Sequence, residues 1–155
     1  MSELQRRGDY AITSDAVRMD VAAIHAYLSR SYWAAGIPLA LVPRAVDHSL
    51  CFGLFHRDQQ VGFARVVTDR ATFAYLADVY VLEVHRGQGL SKWLIEAVRE
   101  HADLQGLRRF MLSTRDAHAL YRQFGFKELT FPARLMEVLD PDVYARMAAT
   151  PTQAQ

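Results

Sequence analysis

The chain of 155 residues has a single cysteine, Cys51, so no internal disulfide can form, and no Cys/His spacing resembles a zinc site. It has no charge excess. Eighteen Lys and Arg against 17 Asp and Glu leave a formal net charge of +1, which gives no reason to expect a nucleic acid or an acidic membrane surface as partner. Long apolar runs are missing as well: the longest, Tyr32 to Pro43, is too short to span a bilayer and is broken by Gly36 and Pro38. The first twenty residues are polar and charged, so no secretory signal is expected and the expected location is cytoplasmic. What remains is 51% hydrophobic and 23% charged residues in the length of one ordinary domain, enough to bury a core.

Residues 1–9 read as a loose leader and residues 148–155 as a frayed tail. Tyr10 to Thr13 suits a short first strand. Asp20 is placed to cap a helix whose Val21, Ile24, His25 and Leu28 share one face. Pro43 to His48 begins a second short helix at a favoured proline position. Leu50 to Phe55 and Val61 to Val67, joined by the polar link His56 to Gln60, make an antiparallel hairpin. Phe73 to Leu82 is apolar on both alternating faces, as a central strand covered on both sides should be.

A helix from Gly89 to Ala102 turns Leu90, Trp93, Leu94, Ala97 and Val98 inward, with Lys92, Glu96, Arg99 and Glu100 outward. Phe110 to Ser113 follows a helix and so runs parallel to the central strand. Ala117 to Phe124 forms a short helix with Gly125 as its C-terminal cap, and Phe126 to Leu129 and Leu135 to Leu139 read as two closing strands. The sum is one α/β domain. Its mixed central sheet is antiparallel in the N-terminal part, holds a parallel pair at the centre, and is flanked by helices.

The turn Arg86-Gly87-Gln88-Gly89-Leu90-Ser91, between the central strand and the long helix, is a candidate phosphate cradle. Glycines let the backbone approach an anion, Arg86 adds charge, Ser91 adds a hydroxyl, and the helix start adds its positive dipole end. An ordinary strand–helix turn would also use glycine. A Rossmann fingerprint would need a third glycine where Lys92 stands, and a P-loop needs a different glycine spacing.

This turn, after the approach strand Val79-Tyr80-Val81-Leu82, resembles the hallmark Arg/Gln-x-x-Gly-x-Gly/Ala of the GNAT family of N-acetyltransferases. Ser91 stands where the family has Gly or Ala. A second hallmark, Asn-x-x-Ala-x-x-Leu-Tyr-x-x-x-Gly-Phe, is similar to the stretch from Thr114 through Ala117, Leu120, Tyr121 and Gly125 to Phe126, with Thr114 in place of the asparagine. The resemblance spans about Tyr10 to Leu139. It implies an acetyltransferase domain that binds acetyl-CoA as acyl donor, needs no metal, and moves the acetyl group directly onto a primary amine, of a small molecule sooner than of a protein. The alternative is a non-catalytic acyl-CoA-binding sensor or interaction module. The resemblance assigns the diphosphate to Arg86, Gly87, Gln88, Gly89, Leu90 and Ser91. The thioester and pantetheine go to the backbone around Val79, Tyr80 and Val81, with a further contact at Thr114. Relatives that pair through C-terminal strands leave a homodimer open, with Leu135 to Leu139 as the candidate strand.

Transfer from a thioester to an amine needs a group to take the amine's proton and one to protonate the departing thiolate. Tyr121 matches the family's general acid; the other reading is a core tyrosine on an apolar helix face. Asp78 interrupts an apolar strand, where burial would raise its pKa toward that of a base; the other reading is an ion pair with Arg65 or Arg115. Tyr32 and Trp33 either border the acceptor pocket or plug the core. His25 reads as a satisfied core histidine, His85 as a surface residue and Cys51 as an inert core thiol.

Overall fold

The expected hairpin is the middle of the sheet. In the computed structural model, which describes residues 4–149, β3 (Leu50–His56) and β4 (Gln59–Thr68) pair antiparallel, with Leu50 opposite Val66. β2 (Tyr10–Thr13) lies beyond β3, and β5 (Phe73–Val81) beyond β4, both antiparallel to their neighbours. β6 (Arg109–Leu112) runs parallel to β5, from Phe73 opposite Arg109 to Leu76 opposite Leu112.

The leader is not loose where it is described. Leu4–Arg7 forms β1, paired with β2 across a Gly8-Asp9 turn in which Gly8 takes φ 59°. Side chains on α3 (Leu90–Glu100) hold it there. The Arg7 guanidinium lies 4.7 Å over the Trp93 ring, and Gln5 accepts the Trp93 indole N–H at 3.1 Å. The sheet order is therefore β1-β2-β3-β4-β5-β6. Residues 1–3 and 150–155 lie outside the described residues.

The two closing strands do not form. Phe126 to Leu129 and Leu135 to Leu139 lie outside any strand, and Pro132 opens a 3-10 turn, Pro132–Arg134, between them. A short stretch of strand-prone apolar residues forms a strand only where a neighbour completes the ladder. Here Phe126 instead packs its ring against Phe110 at 5.3 Å, while Met136 and Val138 are almost fully exposed. The chain ends its described part in α5 (Val143–Ala149).

Period-two alternation sends neighbouring residues of β4 into two cores. Ala64 and Val66 meet Trp93, Leu94 and Val98 of α3; Phe63 meets Ile24 and Leu28 of α1 (Val21–Leu28) and Val42 and Val46 of α2 (Leu41–Asp47). Each fully buried Val, Leu, Ile or Phe among them contributes about 1.5–3 kcal/mol. The Asp20 carboxylate caps α1 by accepting the Ala23 N–H at 3.1 Å. His25 donates its Nε2–H to the Ile37 carbonyl at 2.9 Å, which satisfies that nitrogen. After α4 (His118–Arg122), Gly125 at φ 92° lets the Phe126 N–H reach back to the Tyr121 carbonyl, a Schellman-type stop. Among the described residues no helix is long and apolar enough to cross a membrane.

Candidate active site

Two irregularities of β5 make the site. The first is a bulge: Phe63 pairs with Tyr80 and Arg65 with Ala77, so Ala64 alone faces Asp78 and Val79. Asp78 takes φ 56°, a left-handed conformation that Asp tolerates better than most residues. The second is a splay. Pairing with β6 stops at Leu76 opposite Leu112, and beyond it the strands part around a cleft of about 430 Å3. Tyr32, Trp33, Asp78, Val79, Thr114 and Tyr121, all singled out by the sequence, line that one cleft.

Asp78 is doubly engaged. One carboxylate oxygen accepts the Arg65 Nε–H at 2.7 Å and the other accepts the Trp33 indole N–H at 2.8 Å. Arg65 in turn donates to the Ser49 hydroxyl at 3.2 Å. The ion pair that the sequence left open between two arginines goes to Arg65. Arg115 stacks over the Tyr32 ring, 3.9 Å from its centroid, and donates its backbone N–H to the Tyr32 hydroxyl at 3.1 Å.

Tyr121, on α4, is buried in the core shared with α3 and meets the Phe126 ring edge-on at 6.0 Å. Burial, with the Tyr32 hydroxyl nearby, pushes its phenol up to about 12, so it stays protonated at neutral pH. Tyr32 and Trp33 are 51% and 39% exposed and meet edge to face at 5.1 Å, which makes them cleft walls and not core plugs. The Thr114 hydroxyl accepts the Ala117 N–H at 3.1 Å and so fixes the start of α4.

The turn after β5 is a second, backbone-built feature. Gly87 and Gly89 take φ 82° and 78°, and a Cβ on either would meet nothing within 4 Å. Glycine is demanded there by the backbone, and an open face lies in front of it. Gly89 is the N-cap of α3 and supplies no side-chain cap, so the first amides of the helix lack both intrahelical and capping partners. Leu90 is buried and anchors this start, while Gln88 and Gly89 are exposed and Ser91 half-buried. Such an array fits a diphosphate.

Arg86 does not reach freely into solvent. Its Nε–H donates to the Val81 carbonyl at 2.9 Å and its Nη2 donates to the Tyr27 hydroxyl at 2.9 Å, tying the turn to β5 and α1. Val81 itself is buried in the core under α3.

Tyr27 is a residue that sequence reasoning missed. Its ring stacks on Tyr80 at 4.0 Å, and no local pattern marks it, because its partners lie on β5 and on the turn. Tyr75, which lines the cleft, was equally hidden in an apolar run. His85 is half-buried, bonded to the Tyr10 hydroxyl at 2.8 Å, and is more than a surface residue. Burial pushes the Cys51 thiol up to about 12, consistent with an inert core residue. Among the described residues no cluster of His, Cys, Asp and Glu is arranged to hold a metal ion.

The family model of the acetyltransferase (GNAT) domain matches residues 47–128, which include the bulge, the cradle and Tyr121. A protein of Gibberella zeae that carries an acetyltransferase name is 36% identical over 146 residues, covering 79% of this chain and 81% of its own. The crystal structure of a GNAT-family protein from Xanthomonas campestris pv. campestris is 55% identical, with a TM-score of 0.86 over 88% of this chain and 96% of that one. A more distant acetyltransferase of Clostridium acetobutylicum, solved with acetyl-CoA, shares the fold at 14% identity, with a TM-score of 0.61 over 84% of this chain and 94% of that one. By sequence, by sheet and by the splayed cleft, the chain belongs to the GNAT family of acetyltransferases.

Proposed function

We propose that the protein is an N-acetyltransferase that takes the acetyl group of acetyl-CoA and passes it directly to a primary amine of a small molecule. The observation that carries this reading is the juxtaposition along β5 of a glycine-open helix start and a splayed cleft holding Tyr121 and Asp78. The donor supplies an acetyl thioester; the rest is done by the chain. Amides from Gly87 to Ser91 and the positive end of α3 hold the diphosphate, with Arg86 shaping the turn. The backbone of Val79 and Val81 and the Thr114 region border the path of the pantetheine arm. Tyr121, protonated at neutral pH, gives its proton to the departing sulfur. Asp78 receives the amine: a carboxylate with two donors in place still has acceptor sites for a third, and it draws the proton off directly or through water.

A second reading, a non-catalytic acyl-CoA-binding module, draws on one observation: the Asp78 carboxylate is already tied to Arg65 and Trp33. Release of free thiol from acetyl-CoA with a panel of primary amines separates the two. We expect turnover, and we expect Asp78→Asn to suppress it most at low pH, where a base is scarcest. Thermal stabilisation by acetyl-CoA with no thiol release from any amine selects the module. An unaltered pH–rate profile in Asp78→Asn removes Asp78 as the base.

The exposed apolar segment Leu135 to Leu139, together with the outer edge of β6, where the sheet ends, supports pairing of two copies, and light scattering tests it.

A further inference from the structure

A second cleft, of about 690 Å3, opens on the other side of Asp78, where α1 and α2 cover β4 and β5. Trp33, Tyr75, Ala77 and Asp78 line both clefts, so the two meet at the Asp78 carboxylate. Its volume lies in the range of pockets that enclose small molecules. The walls are apolar: half-buried Leu41, Ala45 and Tyr75 face the cleft over a closed floor of Ile24, Leu28 and Phe63, and Tyr144 of α5 packs against the same core and lines the cleft from the C-terminal side.

The charges along it are arranged unevenly. Asp78 is its single carboxylate among the described residues, and it sits where the two clefts join. The other ionisable groups that line it are Arg44, His48, Arg65, Tyr75 and Tyr144, so away from Asp78 no carboxylate faces a bound molecule. Arg65 is held by Asp78 and Ser49, and Arg44 and His48 are exposed. One positive nitrogen therefore finds a partner at the junction, and a second one further along would be desolvated against hydrocarbon and set beside arginine.

We infer that this second cleft selects the acceptor, and that the acceptor is a primary monoamine with an apolar alkyl or aryl body, its nitrogen at Asp78 and its body along Leu41, Ala45, Tyr75 and Tyr144. The inference rests on the transfer reading for the fate of the amine but not for its binding. Each methylene buried in the cleft strengthens binding by about fourfold, the equivalent of ~0.8 kcal/mol. A polyamine offsets this gain by desolvating its further charges, and an amino sugar has no alkyl chain to bury.

The test is calorimetric titration of the protein, with saturating coenzyme A, with n-alkylamines from propylamine to heptylamine and with α,ω-diamines of the same lengths. Affinity should climb by about fourfold per methylene until the cleft is full, and each diamine should bind roughly tenfold or more weakly than the monoamine of its length. Ala45→Phe, on the α2 wall, should end the climb at a shorter chain. Tyr144→Ala should flatten it for the longer amines, and because Tyr144 sits on the terminal helix it serves if the first variant does not fold. A series that is flat with length, or diamines that bind as tightly as monoamines, would overturn the inference. A climb without thiol release keeps the cleft's selectivity and removes the transfer reading; thiol release confined to diamines or amino sugars keeps the transfer reading and removes the cleft's selectivity.

Discussion

Two stations along β5 hold their chemistry in opposite ways. After Val81, the turn from Arg86 to Ser91 is made of main chain: six consecutive residues, two of them glycines at positive φ, present amides and a helix start. At the bulge, by contrast, Trp33, Arg65, Asp78 and Tyr121 arrive from separate segments and meet only as side chains. The first station depends on local backbone angles and tolerates change around it. The second depends on the packing of everything that carries those side chains.

The largest effect should come from the backbone station. Gly89→Glu places a carboxylate where the proposed function seats the donor's diphosphate and forces a side chain onto φ 78°, so donor affinity should fall by about a hundredfold or more, the loss of roughly 3 kcal/mol of charge-assisted contacts. Gly89→Ala sharpens the point. Its Cβ meets nothing within 4 Å, so it adds backbone strain of about 1–2 kcal/mol without blocking the site, and affinity should fall far less. Equal losses in the two variants, measured by calorimetry with coenzyme A, would show that conformation and not occupancy rules this turn.

Tyr121→Phe probes the other station. Turnover should drop by about 10²-fold or more with donor affinity nearly unchanged. The same variant has a signature in stability. The Tyr121 phenol is pushed from 10.0 up to about 12, chiefly by burial, so its contribution is present below pH 10 and is lost as pH climbs toward 12. That loss is about 2–3 kcal/mol across the window, and Tyr121→Phe should remove it from the alkaline unfolding curve. An unchanged turnover with a flattened curve would return Tyr121 to a purely structural role.

The contrast also explains what could be read from residues in a row. The glycine-built turn and helix start were legible because their six residues are contiguous and each carries its own reason. Asp78 was legible because a carboxylate inside an apolar strand demands a partner. Which partner, and that Trp33 would supply the second donor, was not legible, since the bulge that turns Asp78 toward both is a property of the β4–β5 register and not of either strand alone. Tyr27 escaped for the same reason. β1 escaped because its Leu4-Gln5-Arg6-Arg7 looks polar until Trp93 is set beside it. Leu135 to Leu139 misled in the other direction: four apolar residues around Glu137 read as a strand, but beyond the Pro132 turn no neighbour among the described residues completes a ladder.

The smallest effect should come from the link between the stations. Arg30 of the segment after α1 donates to Glu83 at 2.6 Å, its guanidinium lies 4.4 Å over the Tyr27 ring, and Tyr27 accepts from Arg86 of the cradle. The hydrogen bond from Arg30 comes first among the causes that hold the Glu83 carboxyl down from 4.5 to about 2. A depressed carboxyl stabilises above its unfolded value and loses that contribution as pH falls, here from about 4.5 down through about 2. Both partners are about half exposed, so the contribution at neutral pH is small and shrinks with salt. Glu83→Gln should therefore flatten the acid limb of the melting temperature between those values and barely alter it at pH 7. Donor affinity should hold within about twofold, because Arg86 keeps its bond to the Val81 carbonyl when Tyr27 loosens. If instead Glu83→Gln weakens donor binding as far as Gly89→Ala does, the turn leans on its side-chain ties, through Tyr27 and through the direct Glu83–Arg86 ion pair at 3.9 Å, and the division between a backbone station and a side-chain station gives way to one coupled network.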